Sequence, residues 1–370
     1  MTQSLRQPSR VQITDLRKDY GTKVALSGVS LVVEPGTFTV LLGPSGSGKT
    51  TLLRCLAGIE QPTSGTITIA DKVVAGPAGN VGPERRNLSM VFQDYALWPH
   101  LTVRRNIAFP LKSSTLSKVE RASRVGDMLE RVGIAHLADR YPNELSGGEQ
   151  QRVALARALC AHVGLVLFDE PLSNLDADRR DQLRIEIATL TRDAGVTAVY
   201  ITHDQSEAFA LADRVGVLRN GELVQYTRPE KIYRHPKSAF VARFTGVAGE
   251  FPVTRVREIG EKRVEVQLPF APHMFIETTK SENSPYDKDP HLFVRAAGVT
   301  LHAATSPEGA SGVIRDVAYN GRGYEHVVEV GEKELLTKVY SADRFERGDC
   351  VKVLFDPVSC FVMNAQEEEV

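Results

Sequence analysis

Eight consecutive residues, Gly43-Pro44-Ser45-Gly46-Ser47-Gly48-Lys49-Thr50, match the pattern GxxxxGK[ST]. Glycines at these intervals let successive backbone N–H groups turn inward as an anion cradle. The helix that follows the loop adds the positive end of its dipole. Lys49 then reaches the terminal phosphates of a nucleotide, the Thr50 hydroxyl is a ligand for Mg2+, and Thr51 shares the same first helical turn. A chance match somewhere in a chain this long is expected on the order of one time in a hundred, so the pattern by itself argues for a phosphate site.

Two acids, Asp169 and Glu170, close the apolar run GLVLF at Gly164–Phe168. Acids at the C-terminal end of a parallel strand lie where α/β sheets bind ligands. Asp169 suits a water-mediated hold on Mg2+, and Glu170 suits a general base that polarises an attacking water. Taken alone, two solvated acids at a strand end would be the simpler account; beside a phosphate loop, the chemical one is favoured. His203 follows the run VTAVYIT directly and should emerge on the same edge, within reach of a terminal phosphate. A histidine so placed is by itself more often an ordinary surface residue. Gln93, after Met90-Val91-Phe92, is a neutral ligand for Mg2+ or for the attacking water. Tyr20, in KDYGTK, is either a stacking platform for adenine or a half-buried core tyrosine.

A second phosphate site of different design lies at Leu145-Ser146-Gly147-Gly148-Glu149-Gln150-Gln151-Arg152. Ser146 is a good N-cap, and EQQRVALARAL has helical spacing and propensity. A capped helix with a flexible entry would not need two consecutive glycines, which cost helix stability. Ser-Gly-Gly at a helix start is instead a place for an anion.

The elements that must hold these residues follow from periodicity. Phe38–Leu42, Gly164–Phe168 and Val196–Thr202 are near-continuous apolar runs, expected of strands covered on both faces. TLLRCLAG reads as a helix that Gly58 caps. Asn220-Gly221 between apolar runs predicts a hairpin within Arg214–Val224. Leu116–Val132 predicts a half-buried helix using Leu116, Val119, Ala122, Met128, Leu129 and Val132. Gly76–Pro83 reads as a surface loop. After about Gly246 the pattern changes to short strands (RVEVQL, HLFVRAA, GVIRDVAYNG, YEHVVEV, ELLTKVY, DCVKVLF), with an exposed loop expected at Ser281–Pro290. The expected architecture is an α/β P-loop domain over 1–245 followed by an all-β, OB-like barrel over 246–370.

Composition narrows the function. With 45 Lys+Arg against 46 Asp+Glu, no whole-chain charge favours nucleic acid. Cys55, Cys160, Cys350 and Cys360 form no CxxC or His-flanked cluster, which argues against disulfides and structural zinc and for a reducing compartment. The opening MTQSLRQPSR lacks the apolar region of a signal peptide, and no apolar run approaches the roughly 20 residues of a spanning helix. Work at a membrane would need a partner to hold the chain there.

In sequence order, Gly43–Thr50, LSGGEQQR, LVLFDE at Leu165–Glu170, SNLD at Ser173–Asp176 and His203 resemble the motif series of ABC ATPases over roughly residues 10 to 245. Gln93 and Tyr20 fall where that family has its Q-loop and adenine-stacking aromatic. The resemblance implies ATP and Mg2+ as cofactors, a helical subdomain at about 94–160, and a head-to-tail dimer. ATP on Lys49 and Thr50 of one subunit is then clamped by Ser146, Gly147, Gly148 and Glu149 of the other. DYALWPHLTVRRNI resembles the surface that receives a membrane subunit, with Trp98 as its anchor; ordinary local core is the alternative. The β extension resembles a TOBE-type regulatory module, so the likeness is to importers that use a substrate-binding protein. That implies a peripheral place on the cytoplasmic face of the membrane. FVARFTGVAGEF resembles the ferric-iron branch, with polyamine, phosphonate and sugar systems as alternatives. A soluble ABC ATPase acting on DNA or ribosomes is the distant alternative, since neither a second cassette nor a long coiled-coil insertion is present. Independent ligand or oligonucleotide binding by the β domain is another.

Overall fold

The computed structural model describes residues 7–161, 163–173, 175, 177–261, 263–280, 288–331 and 335–366. It divides into two compact units, Met1–Pro229 and Glu230–Val370.

The first unit contains β1 (Val11–Tyr20), β2 (Lys23–Val33), β3 (Phe38–Leu42), β4 (Ser64–Ile69), β5 (Lys72–Gly76) and β6 (Gly79–Asn80). After them come β7 (Leu88–Val91), β8 (Leu165–Asp169), β9 (Thr197–Thr202), β10 (Arg214–Arg219) and β11 (Glu222–Thr227). Its helices are α1 (Lys49–Ala57), α2 (Val103–Ala108), α3 (Lys118–Arg131), α4 (Gly147–Cys160), α5 (Ala177–Asp193) and α6 (Gln205–Leu211).

The central sheet has the order β11-β10-β3-β9-β8-β7. All its neighbours are parallel except β11 on β10. Every residue of β3, β8 and β9 is buried, because helices or a second sheet cover both faces. That second sheet, β2-β1-β4-β5-β6, is antiparallel. Leu52, Leu53 and Leu56 of α1 join Leu16, Leu26 and Ile67 of the antiparallel sheet and Leu41, Leu165 and Ile201 of the central one in a single core. The phosphate-loop helix is therefore gripped from two sides.

Two expectations need correction. Gly76–Pro83 is not a plain loop: Ala75 pairs with Asn80 and Gly76 with Gly79, so β5 and β6 form a tight hairpin followed by a turn of 3-10 helix at Pro83–Arg85. Gly79 has φ 129, and the glycine that suggested a loop instead closes a hairpin. In α3, Val125, Met128 and Leu129 are buried, but Val119 is 78% exposed. The helix starts at Lys118 behind the Ser117 cap, whose hydroxyl accepts from Glu120 N, so Val119 sits in an end turn that no neighbour covers.

The second unit is one eleven-stranded sheet, antiparallel except where Ala271–Lys280 meets Cys360–Asn364. The composition change expected near Gly246 lies inside this unit. The helices α7 (Pro229–Arg234) and α8 (Ala239–Phe244) explain why. Arg295, 2% exposed, donates to the carbonyls of Tyr233, Ala242 and Gly246, while Ala239 and Ala242 pack with Phe293, Phe361 and Met363. Residues 281–287 of the expected exposed loop lie outside the described residues. Among the described residues, no helix is long and apolar enough to cross a membrane.

Candidate active site

The phosphate loop follows β3 directly. Gly43 permits a close approach: a Cβ there would meet Leu218 O at 2.4 Å and Ser47 Oγ at 2.7 Å. Gly48, at φ 101, would bring a Cβ to 2.6 Å from Ala25 O. Gly46 has φ 80 and open space above it, with Ser45 exposed beside it. The wall behind the loop is the β10–β11 hairpin, whose turn at Asn220 (φ 49) and Gly221 (φ 83) is the one expected from sequence. Gly221 N donates to Ser47 O at 3.1 Å. That contact was not legible beforehand, because it joins segments more than 170 residues apart.

The loop suits an anion. Helix α1 begins on Gly48 with no side-chain cap, carrying Lys49, Thr50 and Thr51 in its first turn. The buried Ser47 Oγ has no hydrogen-bond partner. Lys49 Nζ donates to Gly43 O at 2.7 Å and Pro44 O at 3.0 Å, holding its charge over the loop. Burial pushes the Lys49 pKa down, and Glu170 opposes that by favouring the cation. Phosphate oxygens would complete each of these groups.

The β8–β9 edge brings the next residues together. Asp169 pairs with Ile201, and Glu170 N donates to Ile201 O at 3.2 Å. Glu170 has φ 44, a left-handed conformation costing a non-glycine residue about 1–3 kcal/mol. Ser173 N and Oγ both donate to Glu170 O, fixing that turn from the other side. His203 Nδ1 lies 3.0 Å from Glu170 Oε2. The histidine is held by the start of α6, where Asp204 accepts from Ser206 N and Glu207 N. Burial pushes the Asp169 carboxyl up, Arg54 pulls it down, and Glu170 and Asp94 add to the rise. Of SNLD, Asn174 and Asp176 lie outside the described residues.

Gln93 emerges from β7, whose Val91 pairs with Phe168, so it reaches the same edge as Asp169 and Glu170. It is exposed and engaged in a polar or ring contact. Beyond it, Tyr95 and Ala96 take φ 63 and φ 44, and Arg157 of α4 donates to both their carbonyls at 2.7 and 2.6 Å. Sequence reasoning missed Arg157, which looks like one more helical arginine until α4 is docked on this turn. Trp98 is half-buried rather than free: its ring lies 4.0 Å from that of Phe109 and Arg157 stacks over it at 4.9 Å. Asn106 pins its turn by accepting from Trp98 N and donating to Trp98 O. Tyr20 is 44% exposed at the end of β1, with Lys18 Nζ 4.7 Å from its ring centre, so it is not a core tyrosine.

Ser146 N-caps α4 in a capping box with Glu149. Ser146 N and Oγ both donate to Glu149 Oε2, at 2.7 and 2.8 Å. These hydrogen bonds hold the Glu149 carboxyl below its usual range. Ser146, Gly148 and Glu149 line a pocket with Arg152, Arg179 and Gln182, and no residue of 43–51 contributes to it.

Residues 26–173 match the family described as ABC transporter, and residues 292–363 the family described as TOBE domain. The Fe(3+) ions import ATP-binding protein FbpC of Agrobacterium fabrum is 42% identical over 87% of this chain and 88% of its own length. The Spermidine/putrescine import ATP-binding protein PotA 2 of Pseudomonas aeruginosa is 39% identical over 93% and 96%. The sn-glycerol-3-phosphate import ATP-binding protein UgpC of Brucella abortus is 48% identical over 64% and 67%. A solved dimer of the ATP-binding cassette MJ0796, bound to ADP and Pi, is 30% identical with TM-score 0.52 over 59% of this chain and 98% of that one. A phosphate loop, an acid edge and a separate Ser-Gly-Gly helix on one unit, a β unit after it, and full-length import relatives converge: the chain belongs to the ABC transporter ATPases, among the import ATP-binding subunits that carry a C-terminal TOBE domain.

Proposed function

We propose that this chain energises solute import as a head-to-tail pair in which each ATP lies between two subunits. The observation that carries this is the separation of the Ser146–Gly148 pocket from the phosphate loop within one chain. ATP on Lys49 and Thr50 of one subunit is closed by Ser146, Gly147 and Gly148 of the other, and Tyr20 stacks on the adenine. The Glu149 carboxylate stays on Ser146 and orients it. The dimeric cassette MJ0796 supports the arrangement.

Lys49 exchanges the Gly43 and Pro44 carbonyls for phosphate oxygens. Glu170 takes the proton of the attacking water, and His203 keeps the carboxylate aimed. Thr50, Gln93 and Asp169 are hard oxygen donors that suit Mg2+. Among the described residues no cluster of three His, Cys, Asp or Glu could hold a metal by itself, which fits an ion carried mainly by phosphates. When bound, Mg2+ neutralises charge developing on the transferred phosphoryl group.

Membrane permease subunits are the partners, docking beside the half-buried Trp98 turn, with a substrate-binding protein acting through them. The chain thus works peripherally at the cytoplasmic face. For the cargo we favour ferric iron or another inorganic ion, on relatives named for Fe(3+) import at 42% identity over 87% and 91% of the chain. Polyamine, phosphonate or sugar import is the alternative reading. Glu170→Gln is expected to lower turnover at least about 100-fold while MgATP still drives dimerisation, read by phosphate release and light scattering. Retained turnover, or a monomer at saturating MgATP, would reject the proposal.

A further inference from the structure

Arg86 is among the most buried side chains of the chain, 2% exposed, and the hydrolysis scheme makes no use of it. Its guanidinium donates to Cys55 O at 2.7 Å, Leu56 O at 2.8 Å, Val81 O at 2.8 Å, Val74 O at 3.2 Å and Asn80 Oδ1 at 2.5 Å. All five acceptors are neutral. Burial lowers its pKa, yet arginine keeps its proton, so a full charge is held by carbonyl dipoles alone.

Two of those carbonyls, Cys55 O and Leu56 O, close the last turn of α1. The helix ends at Gly58, whose missing Cβ leaves room for the arginine: a Cβ there would meet Arg86 Nε at 2.5 Å. Arg86 is thus a side-chain cap at the negative end of the helix whose positive end carries Lys49 and Thr50. On its own chain, Arg86 is followed by Asn87 in the left-handed region (φ 53) and then at once by β7, which delivers Gln93. One side chain therefore ties the far end of the phosphate-loop helix to the near end of the Gln93 strand, and the β5–β6 hairpin braces it through Val74, Asn80 and Val81.

We propose that Arg86 is a positioning residue for ATP hydrolysis, locking α1 to β7 so that Thr50 and Gln93 keep the spacing Mg2+ requires. This rests on the reading of Thr50 and Gln93 as Mg2+ ligands. Small displacements of such groups cost rate steeply, about a hundredfold for an ångström.

The test measures ATP turnover against free Mg2+ for Arg86→Lys, Asn80→Ala, Gln93→Ala and the double variant Arg86→Lys/Gln93→Ala. Turnover is normalised to binding sites counted with a fluorescent ADP analogue. Arg86→Lys keeps the charge but cannot span five acceptors, and Asn80→Ala loosens the arginine without touching α1. We expect Arg86→Lys to raise the Mg2+ concentration for half-maximal turnover at least about fivefold and Asn80→Ala to shift it less in the same direction, with ADP-analogue affinity unchanged. The double variant should be no worse than Gln93→Ala alone. A lower melting temperature with unaltered Mg2+ dependence in both Arg86→Lys and Asn80→Ala would make Arg86 a purely structural staple and overturn the proposal. An unaltered Mg2+ dependence in Gln93→Ala would instead overturn the underlying assignment of Gln93.

Discussion

In the proposed mechanism Glu170 and His203 act on the same water only if their contact at 3.0 Å survives when nucleotide binds, and their backbones are built to keep it. Glu170 is fixed in a left-handed turn between Ile201 O and Ser173, and His203 is set by the capped start of α6. His203→Ala is therefore expected to lower kcat by roughly 10–100-fold with little change in KM. Added to Glu170→Gln it should cost nothing further, since the histidine acts through the glutamate; steady-state phosphate release on the two single variants and the double checks this. The residue types here were readable from the chain: an acid pair after a buried strand, a histidine after the next one, a lysine after glycines. Their contact was not. It depends on β8 and β9 being parallel neighbours with Asp169 opposite Ile201, and nothing local to either residue states that register. Trp98 shows the same limit from the other side. Its motif suggested an anchor, but whether a lone tryptophan is free depends on Phe109 and Arg157, which come from other elements.

At the scale of elements, β3, β8 and β9 were legible because each is buried on both faces and reads as an unbroken apolar run, whereas the half-exposed β1, β2 and β4 of the antiparallel sheet were not. The second unit was harder. Six of its strands were legible, whereas Arg255–Glu258 is largely exposed and offers no contrast between faces, and Cys360–Asn364 is wholly buried and offers no alternation. Nor could the chain reveal that α8 belongs with this sheet. The link is polar as well as apolar: Arg243 of α8 donates to both oxygens of Glu250, at 2.8 and 2.7 Å, and His291 Nδ1 lies 3.1 Å from Glu250 Oε1. Burial alone would raise the Glu250 carboxyl. The Arg243 and His291 interactions outweigh it and bring the pKa from its usual 4.5 down to about 2. A depressed carboxylate contributes stability that is present above the unfolded-state value and lost as pH falls through the folded one. The stability difference between the wild type and Glu250→Gln should thus be constant above about pH 5 and shrink towards pH 2, as measured by urea unfolding of the second unit's transition. A difference that stays flat to pH 2 would mean the Arg243 pair does not hold α8 to the sheet.

At the scale of the whole molecule, the proposed function gives each chain two half-sites that a second copy completes. The phosphate loop has uncapped donors and a buried Ser47 hydroxyl without a partner, while the Ser146–Gly148 helix start opens into a pocket that shares no residue with it. On the proposed function, a subunit so made hydrolyses ATP only against a second copy, and closure of the pair is the motion that ATP drives and hydrolysis releases. That claim can be tested without knowing the cargo. A Lys49→Ala chain and a Gly148→Asp chain should each be inactive alone, because every site in either homodimer lacks one half. In their mixed dimer, one site receives an intact Lys49 from the Gly148→Asp chain and an intact Gly148 from the Lys49→Ala chain. Equal mixing should therefore restore turnover to about a quarter of wild type, given random pairing and one sound site per mixed dimer. Turnover in the mixture no higher than the mean of the two parents would contradict a site shared between subunits.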